Sequence, residues 1–212
     1  MNPDPTRRRL LLTAGAWLLA GGARAAARLT PTPAQSAGPF YPTEPPPEDD
    51  HDLTHVRGGN GIARGRITDL SGRLLDPDGR PISATRIEIW QCDANGHYHH
   101  PLDPSDERDP NFQGFGHAIT DADGRYRFRT IRPVPYPGRT PHIHFAVFPR
   151  GERRFTTQLY VRDEPRNAAD FLFGRIPPDR RALVLADFLP ARREGVELAA
   201  SFDLILSVTP RG

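Results

Sequence analysis

Proline and glycine interrupt this chain so often that a long helix has no room to form. The 212 residues include 24 Pro and 19 Gly, about a fifth of the chain, where about 12% is average. Together with a mean hydropathy of −0.57, this excludes a helical bundle, a coiled coil or a polytopic membrane protein. Between the breaks lie short segments of period-two character. Ala63–Leu70, Ala84–Gln91, Arg125–Ile131, His142–Phe148, Phe155–Val161 and Ser201–Val208 are the predicted strands. Asp76-Pro77-Asp78-Gly79 and Asp121-Ala122-Asp123-Gly124 are strong turns, and residues 92–116 form a long loop rich in Asp, Pro, His and Asn. Only Pro177–Leu189 reads as a helix. Strands at this spacing predict an all-β fold, an antiparallel β-sandwich with long functional loops and one short helix.

Three organisational regions follow. In residues 1–25, Arg7-Arg8-Arg9 precedes an apolar run from Leu10 to Ala20, and Ala23-Arg24-Ala25 offers an A-x-A cleavage site. That pattern predicts an export signal, with paired arginines of the twin-arginine type, and hence a periplasmic or secreted protein. The apolar run is well short of the ~20 residues needed to span a bilayer, so the membrane enters only through this signal, cleaved or kept as an anchor. Residues 26–62, centred on Pro45-Pro46-Pro47-Glu48-Asp49-Asp50, predict an extended arm rather than a packed element. Residues 63–212 form the sandwich domain.

Charge and reactive residues narrow the function. All 28 basic residues are Arg, so a lysine Schiff base and a P-loop are excluded. Four of those Arg and one Asp lie in residues 1–25; the remaining 24 Arg face 25 acidic residues, a formal charge of −1. A nucleic-acid surface is not indicated. The single Cys92 excludes an intramolecular disulfide and any CxxC site.

The most informative segment is His142-Ile143-His144-Phe145-Ala146-Val147-Phe148. On a strand, residues i and i+2 share a face, so both imidazoles point one way while Ile143, Phe145 and Val147 point to the core. Such a pair is either two metal ligands or two histidines with ordinary polar partners. Upstream, Tyr136 lies between Pro135 and Pro137 and just before Arg139; it reads either as an aromatic plug or as a ligand. Tyr98 follows the Trp90-Gln91 strand end, where functional loops leave a β-scaffold. A phenol, with a pKa of about 10, becomes a good ligand only for a hard, strongly Lewis-acidic cation. Two Tyr with two His therefore argue for Fe(III), and against a two-His-one-carboxylate Fe(II) site.

At this point residues 36–212 resemble the intradiol ring-cleavage dioxygenases, the family of protocatechuate 3,4-dioxygenase and catechol 1,2-dioxygenase. The matching pieces are Gly38-Pro39-Phe40-Tyr41-Pro42, Asp78-Gly79-Arg80-Pro81-Ile82, Ile89-Trp90-Gln91 through Tyr98, Asp109-Pro110-Asn111-Phe112, Thr120 through Gly124, Pro135-Tyr136-Pro137, His142-Ile143-His144-Phe145 and Thr157-Gln158-Leu159-Tyr160. The resemblance implies non-haem Fe(III) held by Tyr98, Tyr136, His142 and His144, with Tyr136 as the tyrosinate that leaves when substrate binds. It places Arg139 and Gln158 beside substrate. It implies that a catechol-type ring is opened by O₂ between its two hydroxylated carbons to a muconate-type diacid. A homo-oligomer is compatible with it.

Three departures bear on the ring substituent accepted. The Tyr136–His142 connection is short, Gly138 stands where Trp is usual, and His117 stands where Arg is common. His97, His99 and His100 read as polar contacts of their loop, Tyr126 as packing, Cys92 as a small buried hydrophobe, and His51 and His55 as solvated. The alternatives are a secreted β-sandwich binding module, transthyretin-like or carbohydrate-binding, and a periplasmic Cu/Zn protein using His142, His144 and the His97–His100 cluster. Neither has a use for Tyr98 and Tyr136 together with the His pair.

Overall fold

The structure, a computed structural model, describes residues 28–44, 46 and 48–207; the segment expected to be an export signal and Val208 fall outside them. Alternating side chains build two five-stranded sheets. One contains β1 (Ile67–Leu75), β4 (Arg125–Ile131), β8 (Phe188–Pro190), β9 (Leu198–Ser201) and β10 (Leu204–Ile205). The other runs in the order β3 (Phe115–Ile119), β2 (Arg86–Trp90), β5 (His142–Phe148), β6 (Phe155–Val161), β7 (Leu185–Ala186). Leu70, Leu74, Phe128 and Ile131 of the first sheet meet Ile87, Ile89, Ile143, Phe145, Val147 and Leu159 of the second in one apolar core, the burial that drives the two layers together. The all-β sandwich is as expected. Among the described residues no helix is long and apolar enough to cross a membrane.

Several boundaries differ from the sequence reading. β4, β5 and β6 coincide with it, whereas the first strand starts at Ile67 instead of Ala63. The N–H groups of Ala63 and Arg64 are committed to Thr54 and Asp109, off the sheet. β3 occupies the end of the stretch read as loop, and it pairs antiparallel with β2 although Gly116 interrupts its pattern. Pro177–Leu189 is not one helix. Pro178–Val184 is a 3-10 segment, and the chain then enters β7 and β8, because Leu185 and Ala186 find open backbone groups on β6. The only α-helix among the described residues is α1 (Phe171–Gly174), preceded by a 3-10 turn at Pro165–Ala169. The Ser201–Val208 strand is broken where Phe202 enters the core, leaving β9 and β10. Three pairings, β1 with β9, β1 with β10, and β6 with β7, are parallel rather than antiparallel.

The Pro-rich arm also differs from expectation: it packs. Thr32 exchanges hydrogen bonds with Ile205, its N–H donating to the carbonyl at 2.9 Å while Ile205 N–H donates to its hydroxyl at 2.9 Å. Gln35 N–H donates to the Thr156 carbonyl at 2.8 Å, and Phe40 and Tyr41 join a second apolar cluster around Trp90, Cys92, Tyr98 and Phe115. A proline-rich chain has few N–H donors to satisfy, so it can lie along sheet edges using its carbonyls and occasional amides.

Candidate metal centre

The second apolar cluster covers the outer face of the second sheet, and that face carries the chemistry. Strand register sets the layout. Trp90 on β2 pairs with His144 on β5, and His144 pairs with Gln158 on β6. One step along, His142 pairs with Tyr160. The expectation that both imidazoles share a face opposite Ile143, Phe145 and Val147 is met, but that face is not open: His142 is 1% exposed and His144 is 2% exposed.

Two loops bring the phenols over this row. The 92–114 loop is held by aspartates, buried Asp93 and half-buried Asp103, that accept backbone N–H groups, the local solution a segment without a ladder requires. Asp93 accepts from Asn95, His97 and Asp109, and Asp103 accepts from Tyr98 N–H at 2.8 Å. Tyr98 is thereby fixed with its ring stacked on Phe40, centroids 4.3 Å apart. Tyr136 arrives on the proline-stiffened approach. The Arg139 N–H donates to the Tyr136 carbonyl at 2.9 Å, and Gly138 has φ +80°, the geometry of a type II turn with Pro at its second position. Gly138 is therefore required by the backbone, and a Cβ there would meet nothing within 4 Å. The ring of Tyr136 lies 5.5 Å from that of Tyr98 and 5.6 Å from that of His142. All four predicted ligands converge.

The protonation states follow from burial. His142 Nδ1 lies 2.7 Å from the Thr140 carbonyl; a carbonyl only accepts, so Nδ1 carries the proton and Nε2 keeps its lone pair. That Nε2 faces His144 Nε2 at 3.1 Å. Burial pushes the His142 imidazolium down to about 3, with the Arg139 charge adding to it. Burial, with His142 and Arg139 contributing, drives His144 well below its ordinary value. Both rings are neutral. Tyr98 is driven well above the usual phenol range, chiefly by burial, and burial raises Tyr136 against the opposing pull of Arg139.

These donors fit a hard cation. Tyr98 Oη and His144 Nδ1 are buried without a hydrogen-bond partner, a costly state for polar atoms. One tautomer of His144 sets two lone pairs against each other, and the other leaves Nδ1 an unsatisfied acceptor. A Lewis-acidic ion among the phenol oxygens and the two Nε2 atoms removes this conflict and favours phenolate. Ferric iron meets that description better than zinc, whose structural sites are built from Cys and His. Trp90 stacks flat on His144, with centroids 4.7 Å apart, and a Cβ on Gly38 would come within 3.4 Å of its Cε1. The arm therefore closes over the imidazole, and Gly38, at φ +71°, suits that approach.

Arg139 and Gln158 also reach the site. The Arg139 guanidinium donates to Asp170 at 2.8 Å from Nε and to Gln158 Oε1 at 2.7 Å from Nη2, and its Nη1 lies 3.4 Å from His142 Nε2. Tyr160 donates to Gln158 Oε1 at 3.1 Å and accepts from Gln35 Nε2 at 2.8 Å. The sequence reading missed Asp170, Gln35 and Asn167, whose Oδ1 accepts from the Thr140 hydroxyl at 2.7 Å. Only Asp170 had a readable signal, as a capping residue directly before Phe171-Leu172-Phe173-Gly174. Phe171 is exposed, with the guanidinium of Arg139 5.6 Å and that of Arg175 5.8 Å from its ring centroid.

The other histidines lie outside this cluster. His97 faces Asp103 at 3.2 Å, His100 Nδ1 accepts the Leu102 N–H at 3.1 Å, and His99 packs edge-on against Phe112. His117 sits 3.1 Å from the Asp49 carboxylate, tying the arm to β3. His55 is exposed and faces Asp52. Cys92 is buried, its thiol pushed up to about 12 mainly by burial, and Tyr126 belongs to the core. Among the described residues no group of three or more His, Cys, Asp and Glu is placed to hold a metal, so the Cu/Zn alternative lacks its ligand set.

Comparison with known proteins agrees with this chemistry. Residues 36–207 match the family described as Dioxygenase. The chain is 40% identical over 180 residues to the protocatechuate 3,4-dioxygenase beta chain of Burkholderia cepacia, covering 79% of this chain and 76% of that one. It is 31% identical over 175 residues to catechol 1,2-dioxygenase 2 of Acinetobacter lwoffii, covering 72% of this chain and 61% of the relative. The dioxygenase domain of a dioxygenase carbohydrate-binding protein fusion from Streptomyces sp. SirexAA-E superposes with a TM-score of 0.66 at 31% identity, covering 85% of this chain and 100% of that domain.

Proposed function

The chain belongs to the intradiol dioxygenase family, and from that premise we propose that it opens a catechol-type ring with O₂ between the two hydroxylated carbons, using non-haem Fe(III) held by Tyr98, Tyr136, His142 and His144. One observation carries this reading: two neutral imidazoles and a buried phenol without a protein partner converge beside a second phenol. When bound, ferric iron supplies the Lewis acidity that favours phenolate and catecholate and draws the ring towards reaction with O₂.

The protein residues do the rest. Tyr98 is buried under Phe40 and remains fixed. Tyr136 is half-buried on a surface turn, which suits the family's role for it: it would be the iron ligand that gives way, its phenolate Oη then accepting a proton from the entering catechol. Arg139, held on two edges, directs Nη1 towards the ligand cluster and stabilises negative charge developing on the ring. Gln158 fixes that orientation and donates to the Ser36 carbonyl at 3.1 Å, tying the arm to the site wall. Trp90 and Phe40 keep water from the ligands.

The purified full chain is expected to bind iron, to show the broad visible band of ferric tyrosinate, and to consume O₂ with catechol while forming a muconate-type product. A colourless zinc protein, or ring opening beside the diol instead of within it, would overturn the assignment. We further infer export by the twin-arginine route, on the strength of Arg7-Arg8-Arg9 and the A-x-A site. Replacing the three arginines together with Lys is expected to strand the precursor in the cytoplasm, and continued export would point to the general secretory route.

A further inference from the structure

We propose that Asp170 is a positioning residue whose single buried carboxylate fixes the Arg139 guanidinium beside the metal-binding strand and caps α1, so that Arg139 and Phe171 keep one separation. This rests on the reading of Arg139 as the cation that stabilises charge on the substrate. Asp170 spends its two oxygens on two different walls. Oδ2 accepts from Arg139 Nε at 2.8 Å and from Thr140 N–H at 3.0 Å. Oδ1 accepts from Leu172 N–H at 3.0 Å and Phe173 N–H at 2.9 Å. Its side chain is 0% exposed and that of Arg139 is 7% exposed, so neither charge has water as a substitute partner. Asp170 is the only carboxylate in an ion pair with Arg139 among the described residues.

The geometry also says what the anchoring is for. A guanidinium has a rigid fork of five N–H donors. Asp170 takes the Nε edge and Gln158 takes Nη2, which leaves Nη1 as the arm directed at His142. If Asp170 were lost, the guanidinium would lose its one carboxylate partner among the described residues and keep only neutral ones, Gln158, His142 and the Tyr136 and Tyr160 phenols, with its Nε edge unheld. α1 would lose its cap as well, and α1 presents Phe171 to the same guanidinium at 5.6 Å. One carboxylate therefore sets the spacing between the Arg139 cation and the Phe171 ring.

The test separates Asp170's action through Arg139 from a merely structural role. Asn and Ser both cap helices well, so Asp170→Asn and Asp170→Ser retain the partner of the α1 N–H groups and remove the anion. In the iron-loaded enzyme, Asp170→Asn is expected to keep iron content and the visible band and to shift KM for catechol little. Its kcat should fall by about 10²-fold, the size of effect seen when one preorganised donor is lost. In an Arg139→Ala background the same change should lower kcat no further, because the two residues act as one unit. Thermal unfolding gives a second readout independent of turnover: the double variant should melt no lower than Asp170→Asn alone, since removing Arg139 removes the stranded charge. If Asp170→Asn does not fold, Asp170→Ser is read in the same cycle. Wild-type kcat in either single variant, or kcat losses that multiply in the double variant, would overturn the proposal. A wild-type protein without ring-cleavage activity would instead remove the functional reading, while the thermal cycle still reports whether the two charges are coupled.

Discussion

The two faces of strands β2, β5 and β6 are equally buried and chemically opposite. Inward, Ile87, Ile89, Ile143, Phe145, Val147 and Leu159 are each 0% exposed and contain no polar side-chain atom. Outward, Trp90, His142, His144, Gln158 and Tyr160 are buried almost as completely, yet the Trp90 Nε1 and His144 Nδ1 atoms have no partner. Burial by itself therefore does not distinguish a core from a site. What distinguishes them is whether the polar groups taken out of water are repaid within the protein. The inner face is complete as it stands, whereas the outer face is complete only with something added.

Breaking the outer face at a ligand has the largest expected effect. His144→Ala is expected to remove most of the iron and the visible band, because four protein ligands leave little redundancy; full iron content measured by metal analysis would exclude His144 as a ligand. Next comes Arg139→Ala, which should retain colour and lose about 10²–10³-fold in kcat/KM, read by O₂ uptake. Breaking the inner face instead, with Phe145→Ala, should cost about 3–5 kcal/mol in denaturant unfolding while molecules that remain folded keep a full complement of iron.

A gentler perturbation is acidification. For His142 the folded value, about 3, lies below the unfolded 6.5, so the unfolded chain binds more protons between those values. The stabilisation is present above 6.5 and is lost as pH falls through this window, at up to about 1.4 kcal/mol per pH unit for this histidine. Urea unfolding of chelator-stripped protein on either side of pH 6.5 checks the sign; a flat profile would show that the imidazoles are not held neutral. The smallest effect concerns the rim. Gly138 leaves open space, so catechol, 4-methylcatechol and 4-chlorocatechol should agree within about two orders of magnitude in kcat/KM. A carboxylated ring needs a second cation. His in place of Arg at position 117 already weakens the case for one there, and His117 is engaged with Asp49; Arg175, which has no carboxylate partner among the described residues, lies over Phe171. Arg175→Gln is expected to lower kcat/KM for protocatechuate by about tenfold or less relative to catechol, the scale of an exposed charge contact.

Legibility in the sequence followed the same division. β4, β5 and β6 were readable to the residue because their alternation is unbroken by Gly or Pro. β3 was not, since Gly114 and Gly116 erase the pattern while β2 still offers it a partner. Pro177–Leu189 looked helical because a 3-10 segment followed by two short strands spaces its apolar residues much as a helix does. The four metal-ligand candidates could be found because a His-x-His strand and two phenols beside loop signals are unusual residue types in those places. Asn167 and Gln35 could not, because each acts through a contact made across the fold, from a position where an ordinary polar residue would look the same; Asp170 was readable as a helix cap but not as the partner of Arg139.

The arm that crosses the site has a kinetic consequence as well. Thr32 hydrogen-bonds Ile205 across 173 residues, and Gln35 and Ser36 bond the β6 residues that support Arg139. A nascent chain makes these first segments early and can dock them only after β6 and β10 have emerged. Closure of the pocket is thus a late event of high contact order, paid for in loop entropy before it is rewarded. Until it occurs the face of His144 that Gly38 approaches in the folded protein has no arm over it.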